Sequence, residues 1–285
     1  MKKENPKISI ILSNFNGEKY ITLAIESFFN QEYSEKEIII VDGKSSDRSH
    51  EIINKFSERY SNLKWVQKMD DGISDAINIG LKYCSGDIIM QMGHDDILHD
   101  NVFSVIASYS KIIDFDIIYF DSYNYFIQEK RSVLRKCPNI EINRKNLLEY
   151  GSIVGGQSTY FKRHVFEKFK FNVKNKYCMD YEFLLTISDE NYLYFYVPSV
   201  GIISICDSNI STTLGPISLE GIKVAFKFAI NYRDVLNIYS RYYSINNGFQ
   251  LIFYFCVSFF RFSSLLFRKK NNIEFITFCW LFKRL

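Results

Sequence analysis

Two neighbouring carboxylates, Asp95 and Asp96, close the near-continuous apolar run "DIIMQMGHDD", with His94 immediately before them. Acids at the end of a buried strand suit a hard divalent cation such as Mg2+ or Mn2+. Such an ion takes one or two carboxylates and completes its shell with phosphate oxygens. Turns and helix starts use the same residues, so the pair alone leaves both readings open. Three other polar groups have the same placement. Ser13-Asn14-Phe15-Asn16-Gly17 follows one apolar run, Asp42-Gly43-Lys44-Ser45-Ser46-Asp47 follows a second, and "DDGISDAINIG" (70–80) sets Asp71, Asp75 and Asn78 around a helix start. In open parallel α/β sheets ligands bind beyond the carboxyl ends of the strands, so these groups belong to one crevice if the runs are neighbouring strands. No GxGxxG follows the first run, which argues against a dinucleotide cradle.

The elements that must position them alternate. Apolar, β-branched runs at 7–13, 37–43, 63–68, 87–93 and 116–122 read as strands, and the helical period at 18–31, 45–60 and 73–84 reads as the connections between them. Continuous apolar strands between helices imply a mostly parallel sheet covered on both faces. Beyond 150 the pattern loosens. Residues 151–170 mix a Gly-rich loop, a short strand and a helix. Residues 179–188 form a helix with acids in its first turn, and 193–198 and 201–205 read as two further strands.

Hydrophobic residues make up 47% of the 285, enough for a sizeable core, and the net charge of +3 gives no case for a nucleic-acid protein. Charge is uneven, however: residues 216–285 hold 10 Lys/Arg against 3 Asp/Glu. Within them, 249–267 reads as an amphipathic helix with a wide aromatic face, followed by Arg268-Lys269-Lys270, the pattern of a segment lying on an anionic membrane. Packing of that helix on the core is the alternative. Two regions follow: a domain over 1–215 and a basic, aromatic-rich helical tail over 216–285. Six cysteines without CxxC spacing read as reduced thiols with no zinc framework. With no signal-peptide pattern and no run of 18 apolar residues, the expectation is a cytoplasmic protein, peripheral on the cytosolic face of the inner membrane.

The segments "SIILSNFNGEKYITLAIESFFNQEYSEKEIIIVDGKSSDRSHEII" and "DDGISDAINIGLKYCSGDIIMQMGHDDIL" resemble the opening of the inverting, GT-A-fold glycosyltransferases of family 2. These sugar transferases build bacterial polysaccharides, and the likeness is greatest to the capsule, O-antigen and exopolysaccharide branch. The resemblance runs over about residues 7–205 and leaves out the tail. It implies a Rossmann-like GT-A sheet with helices on both faces and a donor site that includes Ser13, Asn14 and Asn16. Asp42 would contact the nucleotide base, and Asp71, Asp75 and Asn78 would line the nucleoside pocket. Asp95 would meet the ribose or a metal-bound water, and Asp96 would coordinate Mg2+ or Mn2+. Where the family has Asn-Ser before the acids, this chain has Gly93-His94. Further on, "GGQSTYFKRHVFEKFK…MDYEFLL" keeps Gln157 but has Gly156 in place of a histidine, and Met179 in place of an acid before Asp180. His94 and Gln157 are assigned to the acceptor side, and Asp180 matches the family's catalytic base. Alone, Asp180 reads as a helix N-terminal acid, and Glu182 is the alternative base.

The resulting expectation is a metal-dependent, inverting glycosyltransferase. It takes a nucleotide-diphospho-sugar, a UDP-sugar first, and a saccharide or lipid-linked saccharide acceptor in cell-surface polysaccharide biosynthesis. The rivals are a non-catalytic nucleotide- or glycan-binding module and a metal-dependent nucleotidyltransferase. The latter should carry a Gly-rich, basic phosphate loop after the first strand, which Asn14–Gly17 is not.

Overall fold

The structure, a computed structural model, describes residues 5–207, 214–231, 233, 234 and 238. The expected helix at 249–267 and the Arg268–Lys270 cluster lie outside them. The chain falls into two compact units divided between Gly221 and Ile222.

Strands β1 (Ile8–Asn14), β2 (Lys36–Asp42), β3 (Leu63–Gln67) and β4 (Ile88–Gly93) form a parallel half-sheet in the order β3-β2-β1-β4. Every residue of β1 is buried, which is why its sequence is continuously rather than alternately apolar. The even positions Ile8, Ile10 and Leu12 of β1, with Ile88, Met90 and Met92 of β4, share a core with Ile21, Ala24, Ile25 and Phe28 of α1 (Ile21–Phe29), Ile53 of α2 (Ser49–Arg59) and Phe103 and Ile106 of α4 (Val102–Ile112). On the opposite face α3 (Ile73–Gly80) packs so closely that a Cβ on Gly80 would stand 2.5 Å from Ile11 Cγ2.

Past β4 the sheet becomes mixed. β8 (Thr159–Lys162) runs antiparallel to both β4 and β6 (Ile117–Phe126), β6 pairs in parallel with β9 (Tyr194–Cys206), and β5 (Asp96–Leu98) lies antiparallel on β9. β7 (Arg131–Arg135) forms a hairpin with β6. Parallel pairing is thus confined to β3-β2-β1-β4 and β6-β9. The two strands expected at 193–198 and 201–205 are one strand, β9, whose register with β6 slips around Asp121. Pro198, lacking an N–H, falls at that slip and interrupts the ladder without ending the strand. β5, α4, β7 and α5 (Arg144–Tyr150) were not anticipated. β5 is three residues long and exists through pairing with a segment over 100 residues away, whereas α4 does carry a helical period in Val102, Phe103 and Ile106. After β8 come α6 (Arg163–Lys168), α7 (Met179–Ile187) and α8 (Leu214–Phe228), which runs past the boundary between the units.

At the amino ends of the central strands a polar cluster fixes their relative height. Glu37 pairs with Lys7 at 2.7 Å and accepts from the hydroxyls of Ser9 at 2.6 Å and Ser85 at 2.8 Å. Burial alone would push its carboxyl up. The Lys7, Ser9 and Ser85 hydrogen bonds outweigh that and hold it down to about 2, from an ordinary 4.5. A depressed folded pKa contributes stability above the unfolded value and loses it as pH falls from 4.5 towards 2. Glu37→Gln should therefore cost about 1 kcal/mol in urea unfolding at pH 7, after discounting for solvent screening. The gap to wild type should close as pH is lowered below 4.5.

Candidate active site

Asn14 and Asp42 are register partners at the carboxyl ends of β1 and β2, and Ser13 pairs with Gly93 at the end of β4. Asn14 Nδ2 donates to Asp42 Oδ1 at 2.8 Å, and the Ser45 hydroxyl donates to the same oxygen at 2.5 Å. Ser45 Oγ in turn accepts from Asn16 N at 2.8 Å, and Ser46 N donates to Asn16 Oδ1 at 2.8 Å. Both loops are thereby tied together around Asp42, which is only 1% exposed. The Ser13 hydroxyl donates to Met92 O.

This knot aims neighbouring groups outward. Phe15 is 62% exposed although its ring edge lies over Gly43. Asp70 also approaches Gly43: a Cβ there would stand 2.9 Å from Asp70 Oδ2 and 3.3 Å from the Phe15 ring. Burial pushes the Asp70 carboxyl up, and the charges of Asp75, Asp42 and Asp71 add to it. Phe15 and Asp70 were not among the residues singled out from sequence. An apolar residue inside the polar turn Asn14–Gly17 was the available signal for the first.

Asp71 and Asp75 remain at this rim, with Asp71 N donating to Asp75 Oδ2 at 3.2 Å. Asn78 does not face the rim with a spare amide. Its Nδ2 donates to Phe171 O at 2.8 Å and its Oδ1 accepts from Phe171 N at 3.1 Å, so it clamps a distant segment.

At the end of β4 the two acids differ. Asp96 is 3% exposed; its Oδ1 accepts from the Ser204 hydroxyl at 2.6 Å and its Oδ2 from Gly93 N at 2.8 Å. Burial, then the charge of Asp95, pushes its carboxyl up to about 7. Asp95 is half-buried and leans over Gly93, where a Cβ would stand 2.6 Å from its Oδ1 and 3.4 Å from Asp96 Oδ2. Two carboxylates share the space above one glycine, and a divalent cation is the partner that their mutual repulsion calls for. Among the described residues no group of three or more His, Cys, Asp or Glu is placed to hold a metal, so the protein's share would be these two. The set fits Mg2+ or Mn2+ completed by phosphate oxygens, and Asp95 is the more outward of the pair.

Asp180 opens α7 on the same face. Gln91 and Gly93 are two apart on β4 and so share a side, separated by about 7 Å of strand. Gln91, Gly156, Thr159, Phe161, Phe171, Phe183 and Leu184 line a small pocket with Asp180. Gly156 lets the chain pass beside the carboxylate: a Cβ would meet Asp180 Cβ at 2.9 Å and Gln91 Nε2 at 3.1 Å. Burial raises the Asp180 carboxyl, against hydrogen bonds from the Tyr181 and Gly156 amides and the charge of Arg135. Gln157 is half-buried in the 3-10 turn Gly156–Ser158 beside it. Glu182, 4% exposed, turns away, accepting from Asn172 Nδ2 at 3.0 Å and Asn175 Nδ2 at 2.9 Å. His94 packs edge-on against Gly17, where a Cβ would stand 2.6 Å from its Cγ and 2.2 Å from Asn14 Oδ1.

The crowding at Gly17 is testable. Gly17→Ala should lower stability by about 1–3 kcal/mol in chemical denaturation, the usual cost of overpacking. Adding His94→Ser should recover only part of the loss, because Asn14 Oδ1 still blocks the new methyl.

Known proteins share this architecture. S. aureus TarS residues 1–349, solved in complex with UDP-GlcNAc, superposes with a TM-score of 0.69 at 17% identity, covering 86% of this chain and 75% of that one. The mannosyltransferase PcManGT from Pyrobaculum calidifontis, in complex with GDP-Man and Mn2+, gives 0.58 at 14% identity over 99% of this chain and 80% of that one. At such identities the likeness concerns the fold, which is GT-A. The cholesterol galactosyltransferase of Borreliella burgdorferi is 30% identical over 141 residues, 49% of this chain, and the chain spans only 39% of that relative's length. The sequence profile of glycosyl transferase family 2 matches residues 9–169, more than half of the chain, and the protein belongs to that family.

Proposed function

We propose that the protein transfers a sugar, with inversion, from a nucleotide-diphospho-sugar to a hydroxyl of a saccharide or lipid-linked saccharide. The observation that carries this reading is the juxtaposition across β4: Asp180, raised by burial, stands beside Gln91, and Asp95 and Asp96 lean over Gly93 on the same face. One end of the crevice suits a diphosphate and the other a general base.

The donor's base would rest on the exposed ring of Phe15, with Asp70 at its edge to accept a ring N–H, while the buried Asp42 holds the two loops beneath it. Uracil offers such a group, and the UDP complexes of the TarS neighbour support a UDP-sugar first. Asp95, backed by Asp96, would hold Mg2+ or Mn2+, which supplies positive charge to the departing diphosphate; the Mn2+ complex of PcManGT is consistent with that choice. Asp180 takes the proton from the acceptor hydroxyl, and its raised affinity for protons suits it to the task. Glu182 is held by two asparagines and turned away, which supports Asp180 as the base of a single displacement with inversion.

Asp180→Asn keeps size and removes the proton acceptor. Turnover, followed as UDP release from UDP-sugars with acceptor, should fall about 10²–10⁴-fold while donor KM changes little. Wild-type turnover in this variant would overturn the assignment of the base. Asp95→Ala should abolish the Mn2+ dependence of UDP binding, measured by calorimetry.

The excess of cations over 216–285 supports a peripheral place on an anionic membrane surface, with a role in cell-surface polysaccharide assembly of the capsule or O-antigen kind. The chain should sediment with vesicles containing anionic lipid, less so as salt rises, and not with neutral vesicles. Salt-independent binding to both would point to burial of apolar surface alone.

A further inference from the structure

Cys178 occupies the N-cap position of α7 but provides no side-chain cap, so the amides leading into the helix need acceptors from elsewhere. They find them 42–44 residues downstream. Glu220 Oε1 accepts from Lys176 N at 3.1 Å, and Glu220 Oε2 accepts from Tyr177 N at 2.6 Å and Cys178 N at 3.1 Å. One carboxylate gathers three consecutive amides at the positive end of the helix, two residues before Asp180.

From the inner side the same turn is held by Asn175. Its Oδ1 accepts from Cys178 N at 2.9 Å, and its Nδ2 reaches Glu182. The turn also touches the donor rim: the Ser74 hydroxyl donates to Asn175 O at 3.1 Å, and Lys176 Nζ donates to Asp71 O. Residues 171–178 are therefore a strap. It is clamped to α3 by Asn78 at one end and pinned by Glu220 at the other, where the base-bearing helix begins.

We propose that Glu220 is a positioning residue for Asp180. Its carboxylate fixes the turn from which the base projects, and so sets the base's distance to the acceptor hydroxyl. The inference rests on the reading of Asp180 as general base. A misplacement of about 1 Å at a reacting group can cost 10²-fold, so small movements of this turn matter.

The test uses the full chain, with Glu220→Gln and the shorter but still charged Glu220→Asp. UDP with Mn2+ serves as the binding probe, UDP release from UDP-sugars reports turnover, and amide hydrogen exchange is read at 176–178. In Glu220→Gln, kcat should fall 10–100-fold while UDP affinity and donor KM stay within about twofold. Exchange at 176–178 should rise at least tenfold with that of the β1 and β4 amides unchanged. Glu220→Asp should recover part of both losses. A loss of turnover without faster exchange at 176–178, or faster exchange with wild-type turnover, overturns the proposal. So does a fall in UDP affinity equal to the fall in kcat, which would mean general loosening. A wild-type chain inactive on every UDP-, GDP- and dTDP-sugar would count against the transferase reading instead. The exchange arm then still decides whether Glu220 pins the strap, and unchanged exchange in Glu220→Gln sinks the proposal.

Discussion

The hydrogen bond from Asn14 Nδ2 to Asp42 Oδ1, between register partners on β1 and β2, is the constraint around which the donor half is built. Both side chains are almost wholly buried, and a buried carboxylate is tolerated only when its oxygens are bonded. Asn14 and Ser45 do this, and in doing so they bring the 14–17 and 43–49 loops together. Ser49 Oγ and Asp47 then accept from the amides of Gly17 and Glu18, extending the seam. With both loops pinned, Phe15 has nowhere to go but outward, and Gly17 is pressed against Asn14 and His94. The exposed ring and the tight turn are two consequences of one satisfied charge.

The rest of the crevice treats its acids differently. Asp70, Asp96 and Asp180 are all raised, in each case first by burial. A carboxyl with a raised folded pKa costs the fold stability once pH climbs past its unfolded value. This is the reverse of Glu37 at the other end of the strands, which is depressed and stabilising above 4.5. The amino ends of the sheet are thus electrostatically satisfied. The carboxyl ends carry charge that a cation, a base N–H or a hydroxyl proton relieves. Strain of this kind gathers where ligands bind.

Much of the donor half was legible because it depends on local pattern. Continuous apolar runs gave β1, β2 and β4, and the polar residues just past them fell at strand ends by construction. Legibility failed where a residue's role is set by a distant partner. Asn78 is expected to line the nucleoside pocket, yet its amide is spent on Phe171, 93 residues away. Gln91 was not singled out from sequence, and only β8 and α7, closing a pocket over it, give it a place in the site. Asp95 and Asp96 are adjacent in sequence and equal as letters. Only the pairing of β5 with β9, which sets Ser204 opposite Asp96, makes one inward and the other outward.

The part of the crevice around Asp180 also lacks independent local support, and this ties it to the part around α3. α7 has no side-chain cap of its own, and the turn leading into it is held by Asn175 from the strap and by Glu220 from α8. The strap is in turn bonded to Ser74 and Asn78 on α3, the helix that begins at the donor rim. α3 and the start of α7 are thereby joined through the strap by side-chain-to-backbone hydrogen bonds. Such a connection gives α3 and Asp180 a shared mechanical reference. It also explains how Asp180, with Met179 before it and Gly156 against it where the family pattern differs, is held beside Gln91: its position is inherited from α3 and α8, and its immediate neighbours in sequence have little say in it.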